Sequence, residues 1–155
     1  MEIERKFLIS EFPAGMEPYE TAQVEQGYLS MEPEVRIRHK RNSNGDVYKL
    51  CIKGEGTLSR EEVEVDITQA QFVTLRSMLK RAMVQKEYRV YWLPDGLSLE
   101  CSAVTAQGYE RFMYAEVEFA SEEAARAFTP PPYLGEEVTE KANMRMKYFY
   151  FGLAE

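Results

Sequence analysis

Three charged residues stand at alternate positions where the chain opens: Glu2, Glu4 and Lys6. Alternate residues of a strand share a face, so a strand here would put two carboxylates and an ammonium on one side. The alternation returns further on. Val35 and Ile37 alternate with Arg36, Arg38 and Lys40, and Tyr48, Leu50 and Ile52 with Lys49, Cys51 and Lys53. Val63, Val65 and Ile67 alternate with Arg60, Glu62, Glu64 and Asp66, and Ala115, Val117 and Phe119 with Glu116 and Glu118. Lys86 and Glu100 join the same charged face. Any one of these strands reads as the solvated side of a one-sided antiparallel sheet. Taken together they differ from one, because solvated faces mix in Ser, Thr, Gln and Asn, and here the signs segregate. The segments at 36–40 and 49–53 are basic, and those at 62–66 and 116–118 are acidic.

A face arranged in this way suits a ligand that presents anionic groups to the Arg and Lys and cations to the carboxylates. A phosphate chain carrying a divalent metal meets both needs. Arginine and lysine neutralise non-bridging oxygens, arginine bidentately. Carboxylates hold Mg²⁺ or Mn²⁺ through hard oxygen ligands, and such a metal polarises a phosphoryl oxygen and orients water.

The elements that must position these groups follow from periodicity. Alternation predicts strands at about 2–9, 22–30, 34–40, 46–53, 60–67, 83–92, 97–104 and 112–119. Asn42–Asp46 reads as a hairpin turn, with further turns at Gly54–Gly56 and Pro94–Gly96. Thr68 with Gln71 forms a capping box ahead of the helical stripe Phe72, Leu75 and Leu79. Ser121 caps a short helix to about Phe128, with Glu122 and Glu123 suiting its dipole. Three prolines at 130–132 stiffen the chain before a last helix at about 139–151, ended by Gly152. The fold class is therefore α+β: eight antiparallel strands closed into a barrel, charges around the lumen, and about three helices over the apolar outside.

At 155 residues and 18.0 kDa the chain reads as one domain, 1–155. No apolar run is long enough to span a bilayer, and no signal-peptide pattern is visible, so a cytoplasmic location is expected. Cys51 and Cys101 both lie in strand-like segments and read as reduced fillers. A formal net charge of -7 argues against a nucleic-acid partner.

Glu2-x-Glu4-x-Lys6 resembles the ExExK signature of the CYTH superfamily, the triphosphate tunnel metalloenzymes. Gln26–Leu29 (QGYL), Arg36-x-Arg38, Ile52–Gly56 (IKGEG), Ser59–Val65 (SREEVEV) and Glu116–Phe119 (EVEF) follow in the family's order, and Pro130–Glu140 resembles the C-terminal segment of small bacterial members. The resemblance spans essentially the whole chain. It implies an eight-stranded tunnel that hydrolyses or cyclises a triphosphate with Mg²⁺ or Mn²⁺. By position, Lys6, Arg36, Arg38, Lys53 and Lys86 would grip phosphates, and Glu2, Glu4, Glu62, Glu64, Glu116 and Glu118 would bind metal. Small bacterial tripolyphosphatases are the most similar, and there a lysine–tyrosine pair would correspond to Lys53 and Tyr28, with Glu4 also assigned to catalysis. The implied partner is a small anionic triphosphate, with neither nucleic acid nor membrane, and the protein is a monomer or homodimer.

The chain departs from the family pattern in three places. Tyr88 stands where an arginine usually follows the sixth-strand lysine, and Arg89 falls on the opposite parity. Ser102 replaces the second acid of the seventh strand, and the segment Glu140–Lys147 lacks an acidic residue just after Glu140. These departures keep open a triphosphate-binding module with reduced catalysis. A thiamine triphosphatase and a class IV adenylyl cyclase also fit the resemblance; the cyclases often carry a His-Phe pair ahead of ExExK, and this sequence begins at Met1. Outside the motifs, His39 lies on the apolar parity and reads as structural. Trp92 and the Tyr88–Tyr91 cluster read as packing more than as a ring-stacking site.

Overall fold

The computed structural model describes residues 1–154. Nine strands form: β1 (Glu2–Ile9), β2 (Glu20–Ser30), β3 (Glu34–Asn42), β4 (Gly45–Lys53), β5 (Ser59–Arg60), β6 (Glu62–Asp66), β7 (Val84–Trp92), β8 (Ser98–Thr105) and β9 (Phe112–Glu118). Three α-helices accompany them: α1 (Gln69–Arg76), α2 (Glu122–Ala127) and α3 (Met146–Tyr150). The strands make one antiparallel sheet in the order β5-β1-β9-β8-β7-β2-β3-β4-β6. Its two outermost strands, β5 and β6, are separated in sequence by Glu61 alone. The segment 59–66 therefore pairs with β1 at one end (Glu2↔Arg60, Ile3↔Ser59) and with β4 at the other (Lys49↔Asp66 to Lys53↔Glu62), which closes the barrel.

The class is the one expected, with nine strands in place of eight. The single strand expected at 60–67 breaks at Glu61, because one segment must satisfy two neighbours across the closing stagger of a barrel. The break leaves β5 only two residues long, so most of that edge of β1 has no strand beside it. The chain after the proline run supplies the missing partners: Gly135 N donates to Leu8 O (2.8 Å), Leu8 N to Glu136 O (2.8 Å) and Val138 N to Lys6 O (2.8 Å). Backbone groups seldom stay unpaired when buried, and this demand shortens the expected last helix. Held extended against β1 through Val138, the chain forms only a 3-10 turn at Ala142–Met144 and then α3, with Arg145 extended between them.

The remaining helices start as their caps predict. Thr68 Oγ1 accepts from Gln71 N and Gln71 Oε1 accepts in return from Thr68 N, while Ser121 accepts from Ala124 N at 3.0 Å. One core lies outside the barrel wall, where Phe7, Leu99, Cys101, Ala115 and Val117 pack near Ala125 of α2. A second lies on the lumen side, where Phe149 and Tyr150 of α3 pack with Val84, Val104 and Tyr114. Helix cover is incomplete, since Val63 and Val65 on the outer face of β6 remain exposed. On the lumen parity, Ala22, Val24, Tyr88 and Val90 form a small buried cluster between β2 and β7. Cys51 and Cys101 are unbridged, and no helix among the described residues is long and apolar enough to cross a membrane.

Candidate active site

Period-two alternation aims charged side chains of β1, β3, β4 and β6 to β9 inward, where they and Arg60 of β5 line one cavity of about 230 Å³. Glu2, Glu4 and Lys6 come from β1, Tyr28 from β2, Arg36 and Arg38 from β3, and Lys53 from β4. Glu62 and Glu64 come from β6, Lys86 from β7, Glu100 from β8, and Glu116 and Glu118 from β9. Every residue singled out from the sequence as a candidate for catalysis, phosphate binding or metal binding thus reaches the same space.

The basic groups divide by how they are held. Lys53 is clamped: its Nζ lies 2.9 and 2.8 Å from the two oxygens of Glu2 and 3.4 Å from Glu62. Lys6 Nζ donates to Met144 O at 2.7 Å and sits 4.2 Å from the centre of the Tyr114 ring. Lys86 Nζ donates to the Tyr114 hydroxyl at 2.5 Å. Arg36 meets Glu64 at 3.6 Å, yet the Nε atoms of both Arg36 and Arg38 are buried without a hydrogen-bond partner among the described residues. Burial, followed by the charge of Arg38, holds Lys86 well below the usual lysine range, and burial also lowers Lys6.

The acidic groups are crowded. Burial, and then the neighbouring Glu116, push Glu4 well above the ordinary carboxylate range. Burial opposes ionisation of Glu116 too, but the hydrogen bond from Glu4 and the charge of Lys6 bring it down to about 2, so Glu4 carries the proton the two share. Burial pushes Glu2 up to about 7 against the pull of Lys53 and with the help of its hydrogen bond to Glu62. Burial and then Glu100 raise Glu118. Glu62, Glu64 and Cys51 each place a ligand atom within 4.8 Å of the others. Carboxylates packed until they must hold protons are a fitting donor set for a hard divalent cation.

Several cavity residues were not singled out as site candidates in the sequence. Glu34 and Tyr114 share strand parity with Arg36 and Glu116, so alternation carried the signal for both. Arg60 is buried between Glu34 (3.2 Å) and Glu2 (3.8 Å). Thr139, Lys141 and Arg145 reach the cavity from the irregular C-terminal segment, where no periodicity marks them. Lys53 and Tyr28 share the cavity with separate partners: Glu2 holds Lys53, and Gln26 Nε2 donates to the Tyr28 hydroxyl at 3.0 Å.

The family departures resolve as geometry. No bulge interrupts β7, so Tyr88 keeps the lumen parity of Lys86 and its hydroxyl donates to Glu100. Arg89 points outward, 2.9 Å from Glu87 and 4.0 Å from the centre of the Phe12 ring. Ser102 is buried with Tyr88 and Tyr114 as its cross-strand neighbours. Outside the barrel, His39 stacks on Tyr48 at 4.5 Å and bonds Glu25 and Asp46, as a structural histidine does. Trp92 stacks on Tyr19 at 4.4 Å.

No family model matches the chain. Over 146 residues, 94% of this chain and 94% of the relative, the sequence is 41% identical to an inorganic triphosphatase of Nitrosomonas europaea. The fold superposes on the crystal structure of the inorganic triphosphatase NE1496 with a TM-score of 0.67 and 35% identity, covering 100% of this chain and 96% of that one. It also shares the fold of the Hippeastrum protein HpAC1 at 18% identity and a TM-score of 0.55, covering 81% of this chain and 83% of that one. With the whole length matched and the charged tunnel in place, the chain belongs to the inorganic triphosphatases of the CYTH superfamily.

Proposed function

We propose that the protein hydrolyses a linear triphosphate, inorganic tripolyphosphate above others, with Mg²⁺ or Mn²⁺. The observation that carries this reading is a cavity in which the buried Nε atoms of Arg36 and Arg38 lack partners among the described residues while carboxylates on the other side share protons. A phosphate chain with a divalent cation would satisfy both, and the Nitrosomonas relative bears the name of that activity.

In this reading Arg36, Arg38, Lys6 and Lys86 bind non-bridging oxygens and align the chain, so positioning and preset charge do most of the work. Glu2, Glu4, Glu62, Glu64, Glu116 and Glu118 would hold the cation, which when bound polarises a phosphoryl oxygen. Water attacks a terminal phosphorus, the bond to the bridging oxygen breaks, and the water's proton passes to a carboxylate. Lys53 and Tyr28 serve as donors. Glu2 and Glu4 outweigh burial and Arg36 and hold Lys53 above the usual lysine range, and burial lifts the Tyr28 phenol to about 12. Both therefore keep their protons at neutral pH and stabilise charge on the departing oxygens.

A binding module with little turnover is the second reading, favoured by Ser102 at the place of a carboxylate and by Tyr88 occupying Glu100. Phosphate release from tripolyphosphate, ATP, thiamine triphosphate and pyrophosphate, with Mg²⁺, Mn²⁺ or EDTA, decides between them. The hydrolase predicts metal-dependent release favouring tripolyphosphate, reduced by at least ~100-fold in Glu4→Gln. Absence of release from all four, with tripolyphosphate still raising the melting temperature, would establish the module. Cyclic AMP from ATP would establish the cyclase.

A further inference from the structure

Gln26 belongs to the charged cavity's supporting layer, yet nothing in the hydrolysis reading uses it. Its side chain is fully buried, on the lumen parity of β2 two residues before Tyr28. Its Nε2 donates to the Tyr28 hydroxyl at 3.0 Å, and its Oε1 has no partner among the described residues. Directly across the ladder stands Arg38, whose Nε is likewise unpartnered. Burying an amide with half its capacity unused is costly, so the contact it does make must be worth that cost or serve a purpose other than stability.

The purpose is visible at Tyr28. The phenol ring is wedged against Tyr150 (centroids 5.6 Å apart) and Phe151 (6.4 Å), which fixes its plane. A phenol oxygen accepts as well as donates. With the amide of Gln26 donating to that oxygen, the hydroxyl proton is directed elsewhere, and Tyr28 borders the cavity shared with Arg36 and Lys53. The reverse amide orientation would take the proton into Gln26, away from the tunnel, and bury an unpaired N–H.

We infer that Gln26 is a positioning residue that holds the Tyr28 hydroxyl as a hydrogen-bond donor aimed at the phosphate chain. This rests on the hydrolase reading above and assigns a donor's role to Tyr28 within it. It also explains why a fully buried polar residue occupies a strand position where an apolar one would pack without loss.

The test is a double-mutant cycle in tripolyphosphate turnover, using Gln26→Met, Gln26→Glu, Tyr28→Phe and the Gln26→Met/Tyr28→Phe pair. Methionine keeps the length without the donor; glutamate accepts from the hydroxyl and turns its proton away. Gln26→Met should lose roughly tenfold in kcat with KM within about twofold, and Gln26→Glu should fall to the level of Tyr28→Phe. The double variant should be no slower than Tyr28→Phe alone, because the amide acts only through that hydroxyl. Losses that multiply in the double variant, a change confined to KM, or an unchanged kcat in both folded Gln26 variants would overturn the inference and leave the hydrolase standing. A wild type that releases no phosphate overturns both together.

Discussion

Glu2 is half-buried with Lys53 on both of its oxygens, and desolvation still lifts it to about 7. A carboxyl group whose pKa is higher folded than unfolded stabilises fully below the unfolded value and loses that contribution as pH rises through the folded one. For Glu2 the window runs from 4.5 to about 7, and a shift of that size is worth roughly 3 kcal/mol. Metal-free protein should therefore lose stability across this window, more steeply than Glu2→Gln does. Chemical denaturation at pH 5, 6 and 7 measures the slopes; equal slopes in the two proteins would show that Glu2 ionises normally. Glu116 acts elsewhere, since a depressed pKa gives stability that is lost only as pH falls from 4.5 toward 2. At this scale the sequence was largely legible, because parity alone names Glu2, Arg36, Lys86 and Glu116 as neighbours. Parity is silent on who touches whom: it could not tell that Lys53 would be clamped by Glu2, or that Tyr28 would answer to Gln26.

Among the elements, the short connection from β4 to β5 decides whether the barrel closes. Gly56 lies at φ 132°, and a Cβ there would sit 2.0 Å from Ser59 O. Backbone strain of this kind costs on the order of 1–3 kcal/mol, and relief would pull Ser59 and Arg60 away from Ile3 and Glu2. Gly56→Ala should then lower the melting temperature and weaken tripolyphosphate turnover together. Thr68→Ala offers the contrast. It removes the cap of α1, should cost about 1 kcal/mol, and should leave turnover unchanged, since that helix packs outside the barrel. Thermal melts and phosphate release on both variants separate the two effects, and full activity in Gly56→Ala would sink the closure argument. The Thr68 cap was readable because capping is local. The break at Glu61 was not, because it answers to two strands more than forty positions apart in sequence, and the shortened last helix answers to the edge of β1 which that break exposes.

For the molecule as a whole, the formal charge of -7 conceals a lumen whose basic groups are buried and only partly paired. Like charges held together in a closed wall destabilise the folded state, so a ligand that neutralises them should stabilise it beyond the contacts it makes. At a hundredfold excess over its dissociation constant any ligand specific to the native state adds about 2.7 kcal/mol, worth roughly 5–10 °C in a domain of this size. Tripolyphosphate should produce such a rise, and sodium chloride at equal ionic strength should not, because screening hardly reaches a buried site. Replacing Arg36 and Arg38 by glutamine should abolish the rise while removing little native stability, since both Nε atoms lack partners without ligand. Equal melting shifts with tripolyphosphate in the double variant would place the anion outside the tunnel. Equal shifts with chloride would mean general screening, with the barrel's charges acting on solvent and not on a bound chain.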